Sequence, residues 1–569
     1  MSGMTPVPAA APSAPSVARG AELASTPRLV TDMLDRTVEL HGDRVAIDFL
    51  GRRVRWRELA ELVDFAAAGL QRLGVVRGTR VALCLPNMPA YPILHLATLR
   101  AGGIVVNANP LYVERELEHL LADSGAGVVA TVDLADVHGR VSRAAERLGV
   151  RHVVTCRLAD ALPPAKSILY RWLRRREIAR PVAGGRHLDF SRLVARRVRP
   201  APVRVSPYDV AVLQYTGGTT GSPKAAMLTH ASLVANADAM AAHLGERREQ
   251  ERIMGALPLF HVFALTTVLN SALRTGARMV LLPRFELKGL LAAVGRTRPT
   301  YLPAVPTILH AVANAPGRAR AGFASLRACI SGGAPLPAEV RAAFERATGA
   351  RVVEGYGLSE ASPILACNPV DAGNRDGSAG LPFPGTTIEI RDPDDPERLL
   401  PLGEVGEVCA RGPQLMRGYW NKPEETAAVL SGGRLRTGDL GRLDADGFLH
   451  IVDRLKDVIL CGGYNVYPRV LEDALNEHPE VAEAVVVGVP DDYRGQAPKA
   501  FVVLRPPAAA TPADLRAFLA ERVSRIELPR EIELRGALPK TLIGKHSKKE
   551  LAEEERLKHA AAAAAAGGR

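Results

Sequence analysis

Gln214-Tyr-Thr-Gly-Gly-Thr-Thr-Gly-Ser-Pro-Lys-Ala-Ala-Met-Leu-Thr-His230 joins an apolar run at 210–213 to an Ala-rich helical pattern at 231–244. Between Thr216 and Lys224 it holds three glycines, three threonines, one serine and one lysine. Backbone N–H groups and hydroxyls gathered in such a loop can wrap a polyphosphate while the lysine meets its charge. It is not a Walker loop, because no Gly-Lys-Ser/Thr follows the required four-residue gap, which Ser222-Pro223 interrupts. A flexible Gly/Thr surface turn is the plainer alternative. The clustering of four hydroxyls, three glycines and a lysine argues against it.

Around this loop the chain reads as a multidomain protein, since 569 residues are too many for one core. A hydrophobic content of 47% and a charged content of 24% are those of an ordinary globular chain. The six cysteines, at 84, 156, 329, 367, 409 and 461, form no Cys-x-x-Cys pair. They read as buried thiols in a reducing cytoplasm, with neither a disulfide framework nor a zinc site. No apolar run approaches the roughly 18 residues of a membrane span. The net charge of +12 is concentrated locally: ten arginines between Arg171 and Arg199 face only Glu177 and Asp189. No aromatic or groove-reading elements accompany them, so nucleic acid is not an expected partner.

Residues 1–26 are mostly Ala, Pro, Ser and Gly and are expected to be a disordered tail, not a signal peptide. From 27 onward, helical patterns at 59–73, 91–101 and 114–124 alternate with β-like runs at 80–85, 104–107, 126–131 and 152–156. That alternation predicts a layered α/β domain with largely parallel strands. Residues 157–205 interrupt it. Within them, 167–178 puts Ile168, Leu169, Trp172 and Leu173 on one helical side and Arg171, Arg174 and Arg175 elsewhere. Two readings stay open: a solvated insertion packing its apolar side on the domain, or a basic amphipathic helix on an anionic membrane, engaged through 167–199.

A second α/β block is expected from 208 to about 372, and a smaller β-rich subdomain over 380–453. Residues 454–551 read as a separate α+β unit. The tail 552–569, with seven consecutive alanines, is expected to fray.

Tyr-Thr-x-Gly-Thr-Thr-Gly-x-Pro-Lys, as it stands at 215–224, resembles the phosphate-loop motif of the adenylate-forming superfamily of acyl-CoA synthetases and ligases. The form here looks most like bacterial long-chain fatty-acid–CoA ligases. Ala225 departs from that pattern, which usually has Gly. Leu85-Pro-Asn-Met-Pro and Asn107-Ala-Asn-Pro-Leu-Tyr112 resemble the family's early segments. Four further segments follow in the family's order: Gly332-Gly-Ala-Pro335, Glu354-Gly-Tyr-Gly-Leu-Ser-Glu360, Thr437-Gly-Asp-Leu-Gly441 with Asp453-Arg-Leu-Lys-Asp-Val458, and Pro539-Lys-Thr-Leu-Ile-Gly-Lys545. The resemblance runs from about residue 27 to 551. It implies a large N-terminal AMP- and acyl-binding domain over 27–453 and a small mobile C-terminal lid over 454–551.

The site residues follow from the same resemblance. Thr216, Gly217, Gly218, Thr219, Thr220, Gly221 and Lys224 would bind the phosphates. Thr216 and Glu360 would share a Mg²⁺ ion, for which a carboxylate is a hard oxygen ligand. Gly333, Ala334, Glu354, Gly355, Tyr356 and Ser359 would line the adenine side, with Tyr356 able to stack on the base. Asp439 and Arg454 would hold the ribose, and Lys456 would be the hinge beside it. Lys545 would be the catalytic lysine, its compact ammonium bridging developing negative charge. The residues after it, His546 and Ser547, are more polar than the family's pattern. Gly462, Gly463 and Tyr464 would lie along the CoA tunnel, and His261 at the acyl entrance. The implied reaction joins a fatty acid to CoA through acyl-AMP, with ATP and CoA as substrates. A carrier-loading acyl-AMP ligase and a medium-chain or aryl acid–CoA ligase remain as alternatives.

Overall fold

The computed structural model describes residues 16–179, 185–216, 223–245, 249–317, 321–370, 373–461, 464–491, 494–540 and 546–566. A seven-stranded sheet has the order Lys224–Thr229, Val210–Thr216, Ile104–Asn107, Arg80–Cys84, Val128–Val132, His152–Cys156 and His187–Asp189. All its neighbours are parallel except the first pair, which is an antiparallel hairpin. A nine-stranded sheet is parallel from Val45–Phe49 through Arg278–Leu281, Arg252–Gly255, Tyr301–Ala304 and Ala328–Ser331 to Arg351–Gly357. Valine, isoleucine and leucine dominate these strands, as burial on both faces requires. One continuous apolar core spans both sheets.

The two blocks read from the sequence are not the two sheets. Val45–Phe49 and Arg52–Arg55 cross over to the second sheet, and the hairpin at 210–229 belongs to the first. Helices Ala90–Arg100 and His230–Leu244 are buried along nearly their whole length. Their patterns are accordingly apolar on nearly every side.

The β-rich subdomain is a six-stranded antiparallel sheet that includes Thr387–Arg391, Gly406–Arg411, Arg434–Leu443 and Leu449–Arg454. Its edge is completed by Val17–Arg19, paired with Thr387, Ile388 and Glu389. Residues 16–26 are therefore not part of a disordered tail. Ser16 is fully buried and its hydroxyl donates to the Pro401 carbonyl at 2.7 Å. The edge needed backbone partners rather than apolar side chains, which is why composition misjudged the segment.

The C-terminal unit packs helices Pro468–Asn476 and Pro512–Ala520 on a five-stranded sheet with its own core. Residues 552–566 of the tail expected to fray instead continue helix Lys548–Ala566, and 567–569 lie outside the described residues. Glu554 pairs with Arg535 at 2.6 Å and Glu555 with Lys499 at 3.0 Å, anchoring the helix to the sheet.

The 157–205 segment is also more integrated than expected. His187–Asp189 extends the first sheet, and Pro164–Leu173 is a helix. That helix turns Ser167 and Tyr170 toward the domain and leaves Ile168, Leu169, Trp172 and Leu173 in solvent. The apolar side does not pack on the domain. All six cysteines are buried free thiols. Among the described residues, no helix is long and apolar enough to cross a membrane.

Candidate active site

The hairpin places Thr216 and Lys224 directly opposite each other, and the Thr216 hydroxyl donates to the Lys224 carbonyl at 3.3 Å. The loop between these positions is where phosphate binding is expected. Gly217, Gly218, Thr219, Thr220 and Gly221 lie outside the described residues. Beneath the hairpin runs a buried polar chain. Tyr91 donates to Asn107 at 2.7 Å, Asn107 to Gln214 at 2.9 Å, and Gln214 to the Phe260 carbonyl at 3.2 Å. Asn87 donates to the Leu257 carbonyl and accepts from the Leu259 N–H, both at 2.7 Å. The two early segments thus position the loop that carries His261.

Lys224 extends its ammonium over the Tyr419 ring, 5.2 Å from the centroid. The hydroxyl of the same tyrosine donates to Glu360 Oε1 at 2.8 Å. Backbone bonds strap this segment in place: Trp420 N–H to the Ala225 carbonyl at 2.8 Å, Met416 N–H to the Glu360 carbonyl at 2.7 Å. Ala225, the departure from the family's glycine, is a buried strand residue whose carbonyl serves that strap. Tyr419 therefore joins two expected site residues that lie far apart in sequence. Nothing in its local pattern distinguishes it.

Glu354, Gly355 and Tyr356 lie on the strand Arg351–Gly357, beside the strand that ends at Ser331 and turns through Gly332 and Gly333. Both strands present their carboxyl ends, where open α/β sheets bind ligands. Gly333 has φ +81°, a conformation natural to glycine. Ala334 follows it in the same turn. A Cβ at Gly332 would stand 3.2 Å from both the Gly355 carbonyl oxygen and the Phe263 ring, so the absent side chain lets three segments close together. His261 begins the short helix Val262–Ala264 by accepting the Phe263 N–H at 3.3 Å. Ser359 and Glu360 occupy a tight turn just beyond the strand.

Tyr356 donates to Asp439 Oδ2 at 2.7 Å, and Arg454 meets Asp439 Oδ1 at 3.1 Å. Asp439 and Arg454 are paired across adjacent antiparallel strands. Buried Glu407, unremarked in the sequence, holds Arg436 at 2.7 Å and accepts the Gly438 N–H at 3.1 Å, fixing the turn that delivers Asp439. Thr437 and Gly438 divide two clefts. One, about 260 Å³, includes Glu360, Tyr419 and Arg436 in its walls, and the other, about 230 Å³, includes Arg454 and Lys456. Burial pushes the Glu354 carboxyl up to about 7, against the opposing pull of Arg469 and Arg341.

Thr216 supplies a hydroxyl and Glu360 a carboxylate with its second oxygen outside the bond to Tyr419. That donor set suits a magnesium ion completed by substrate phosphates. Among the described residues no three His, Cys, Asp or Glu side chains gather into a metal-holding group.

Lys456 stands exposed in the turn Leu455–Asp457 that links the β-rich sheet to the C-terminal unit. Across this link Asp453 accepts the Arg469 N–H at 2.8 Å, and Arg469 donates to the Ile451 carbonyl at 3.0 Å. Arg505 approaches Glu339 at 3.4 Å. His310, on helix Pro306–Ala313, lies in the field of Arg505, Glu483 and Lys540. Lys540 and His546 pair across a β-bridge, and Ser547 N–H donates to the Pro539 carbonyl at 2.9 Å. The polar His546-Ser547 pair thus takes part in backbone pairing with Pro539 and Lys540. Lys545, Gly462 and Gly463 lie outside the described residues. Tyr464, by contrast, is exposed on the strand Tyr464–Val466.

The AMP-binding enzyme family matches residues 34–420, and the AMP-binding enzyme C-terminal domain matches 470–545. A long-chain-fatty-acid–CoA ligase of Bacillus subtilis (strain 168) is 41% identical over 530 residues, covering 91% of this chain and 93% of that protein. The structure of an anthranilate CoA ligase in complex with anthranoyl-AMP superposes with a TM-score of 0.83 at 26% identity, covering 94% of this chain and 99% of that one. ATP-bound MatB from Rhodopseudomonas palustris gives a TM-score of 0.81, and apo MatB gives 0.73; each is 28% identical and covers 92% of this chain and 98% of its own. With both parts matched in order and the motifs gathered at the strand ends, the chain belongs to the AMP-binding enzyme family, the adenylate-forming acyl-CoA synthetases and ligases.

Proposed function

We infer that the protein is an ATP-dependent long-chain fatty-acid–CoA ligase. The observation that carries the reading is the convergence of Lys224, Tyr419 and Glu360 beside the Tyr356–Asp439–Arg454 group. This arrangement suits a nucleotide whose phosphates lie at one end and ribose at the other. A carboxylate cannot acylate a thiol directly, because its leaving group would be oxide. Attack on the α-phosphate of ATP releases pyrophosphate and forms acyl-AMP. The CoA thiol then displaces AMP to give the thioester.

Within that sequence the residues divide the work by position. The 216–224 loop and Lys224 hold phosphates, Asp439 and Arg454 orient the ribose, and Tyr356, Gly333 and Ala334 flank the base. Thr216 and Glu360 would hold Mg²⁺, which when bound offsets the charge on the phosphates. Lys545 stabilises charge in adenylation only, and rotation about Lys456 then brings Gly462, Gly463 and Tyr464 to the site for CoA. His261 borders the acyl chain. The higher TM-score to ATP-bound than to apo MatB supports a lid in the nucleotide-bound pose. The reading includes a cytoplasmic setting, supported by six buried thiols, and peripheral contact with anionic membrane through 167–199.

Purified protein given ATP, CoA and acids from medium to long chain, with an aryl acid in parallel, tests the reading through pyrophosphate release and thioester yield. Palmitate should give acyl-CoA. Transfer to a carrier domain but not to CoA, or preference for the aryl acid, would overturn it.

A further inference from the structure

We propose that helix Pro164–Leu173 is an interfacial anchor that lays Ile168, Leu169, Trp172 and Leu173 into the surface of an anionic bilayer. The proposal deepens the membrane contact in the functional reading by naming the element and the side chains. The four residues are 72%, 53%, 69% and 60% exposed, and no residue of the helix is fully buried. Spaced i, i+1, i+4 and i+5, they form one stripe along the helix. Contiguous large apolar groups in water are unusual in a soluble protein and mark a surface that meets something.

The helix is a fixed platform. Tyr170 packs on the core from the opposite side. Lys166 donates to the Leu50 carbonyl at 2.8 Å and Arg171 to Asp160 at 2.6 Å. Beyond its end, Ala135 N–H bonds the Glu177 carbonyl at 2.7 Å and Ala179 N–H the Asp133 carbonyl at 2.8 Å. The apolar stripe is therefore held outward, with its place on the domain taken by the other face.

Charge decides the partner. Exposed Arg175 and Arg176 follow the stripe, Lys166 and Arg171 flank it, and Arg52 reaches the Asp160 carbonyl from the adjoining hairpin. A second copy of this chain would bring the same cations face to face. Nucleic acid would leave four apolar side chains in water. An anionic lipid surface satisfies both features, with headgroups meeting the arginines and the acyl boundary taking the stripe. At about 15 Å the helix is too short to span and suited to lie in the interface plane. Long-chain acids partition into the same bilayer, so the anchor holds the enzyme where its substrate collects.

Trp172 is a built-in reporter, because Trp56 is fully buried and Trp420 half-buried. With full-length protein and vesicles of phosphatidylglycerol and phosphatidylcholine, its emission should shift to the blue and the protein should co-sediment. Trp172→Phe should still co-sediment without the shift. Arg175→Gln with Arg176→Gln should lower co-sedimentation several-fold at 0.1 M salt, where screening acts beyond about 10 Å. Ile168→Ser with Leu173→Ser should abolish the binding that survives at 1 M salt. Equal binding to pure phosphatidylcholine, or unchanged binding by the serine variant, would overturn the proposal. So would a wild-type dimer that the serine substitutions convert to monomer without vesicle binding, since the stripe would then belong to a second copy. Acyl-CoA synthesis from detergent-dispersed palmitate, followed in every form, should be unaltered. Its absence alongside intact vesicle binding would defeat the functional reading and leave the anchor standing.

Discussion

The nucleotide side of the site and the C-terminal unit that faces it are held in opposite ways. On the nucleotide side, short bonds at buried or half-buried positions hold the site together: Tyr356 to Asp439, Tyr419 to Glu360, Glu407 to the turn before Asp439. Among the described residues, the C-terminal unit meets the rest through polar contacts near the hinge and an exposed ion pair, Arg505–Glu339 at 3.4 Å. Exposed pairs contribute on the order of 0–1 kcal/mol, so this contact can be exchanged at little cost. The contrast suits one site that must serve two geometries: a rigid half that sets the positions of phosphate and ribose, and a loosely held half that can be replaced.

Under the proposed division of labour, the largest effect comes from Lys545, the proposed catalytic lysine. Lys545→Ala should slow acyl-AMP formation by roughly two or more orders of magnitude. Thioester formation from supplied acyl-AMP and CoA should stay nearly intact. Single-turnover assays of each half-reaction decide it, and equal losses in both would remove the assignment. Next comes the hinge. Lys456→Pro fixes φ, so adenylation should persist while thioester formation falls about tenfold or more. Normal turnover of CoA would place the hinge elsewhere.

The rigid half is tested more gently. Tyr419→Phe removes one hydrogen bond to a carboxylate, an interaction of about 1.5–3 kcal/mol. Adenylation should fall on the order of tenfold, with the half-saturating Mg²⁺ concentration raised and the step from acyl-AMP unchanged. A loss of stability with unaltered Mg²⁺ dependence would reduce Tyr419 to packing.

The last effect is electrostatic and acts on stability, leaving the chemistry aside. Burial raises the Glu354 carboxyl to about 7, so the folded state binds its proton more readily than the unfolded chain. The folded protein consequently bears no penalty below the ordinary carboxyl range and loses stability as pH rises toward 7, by about 3 kcal/mol at most. Glu354→Gln should raise the Tm at pH 8 and leave it unchanged at pH 4.5. An equal gain at both values would assign the effect to packing instead of ionisation.

Much of this was legible locally. A loop rich in glycine, threonine and lysine announces phosphate chemistry because its donors lie within nine consecutive residues, and the strand–helix alternation announces a layered sheet because its period is a property of short segments. The N-terminal strand was missed for the opposite reason: Val17–Arg19 is ordered by unpaired backbone on Thr387–Arg391, far along the chain. The C-terminal helix continues because Arg535 and Lys499 wait for its glutamates.

By itself the sequence determined the fold class, the order of the motifs and the family, since each rests on neighbours in the chain and on the identity of single residues. Only the tertiary structure decided that Tyr419 couples Lys224 to Glu360, that Glu407 sets the Asp439 turn, and that the stripe on Pro164–Leu173 faces water. Periodicity establishes that a helix has an apolar side. Which way that side points depends on what else competes for the domain surface, and there Tyr170 had already taken the place.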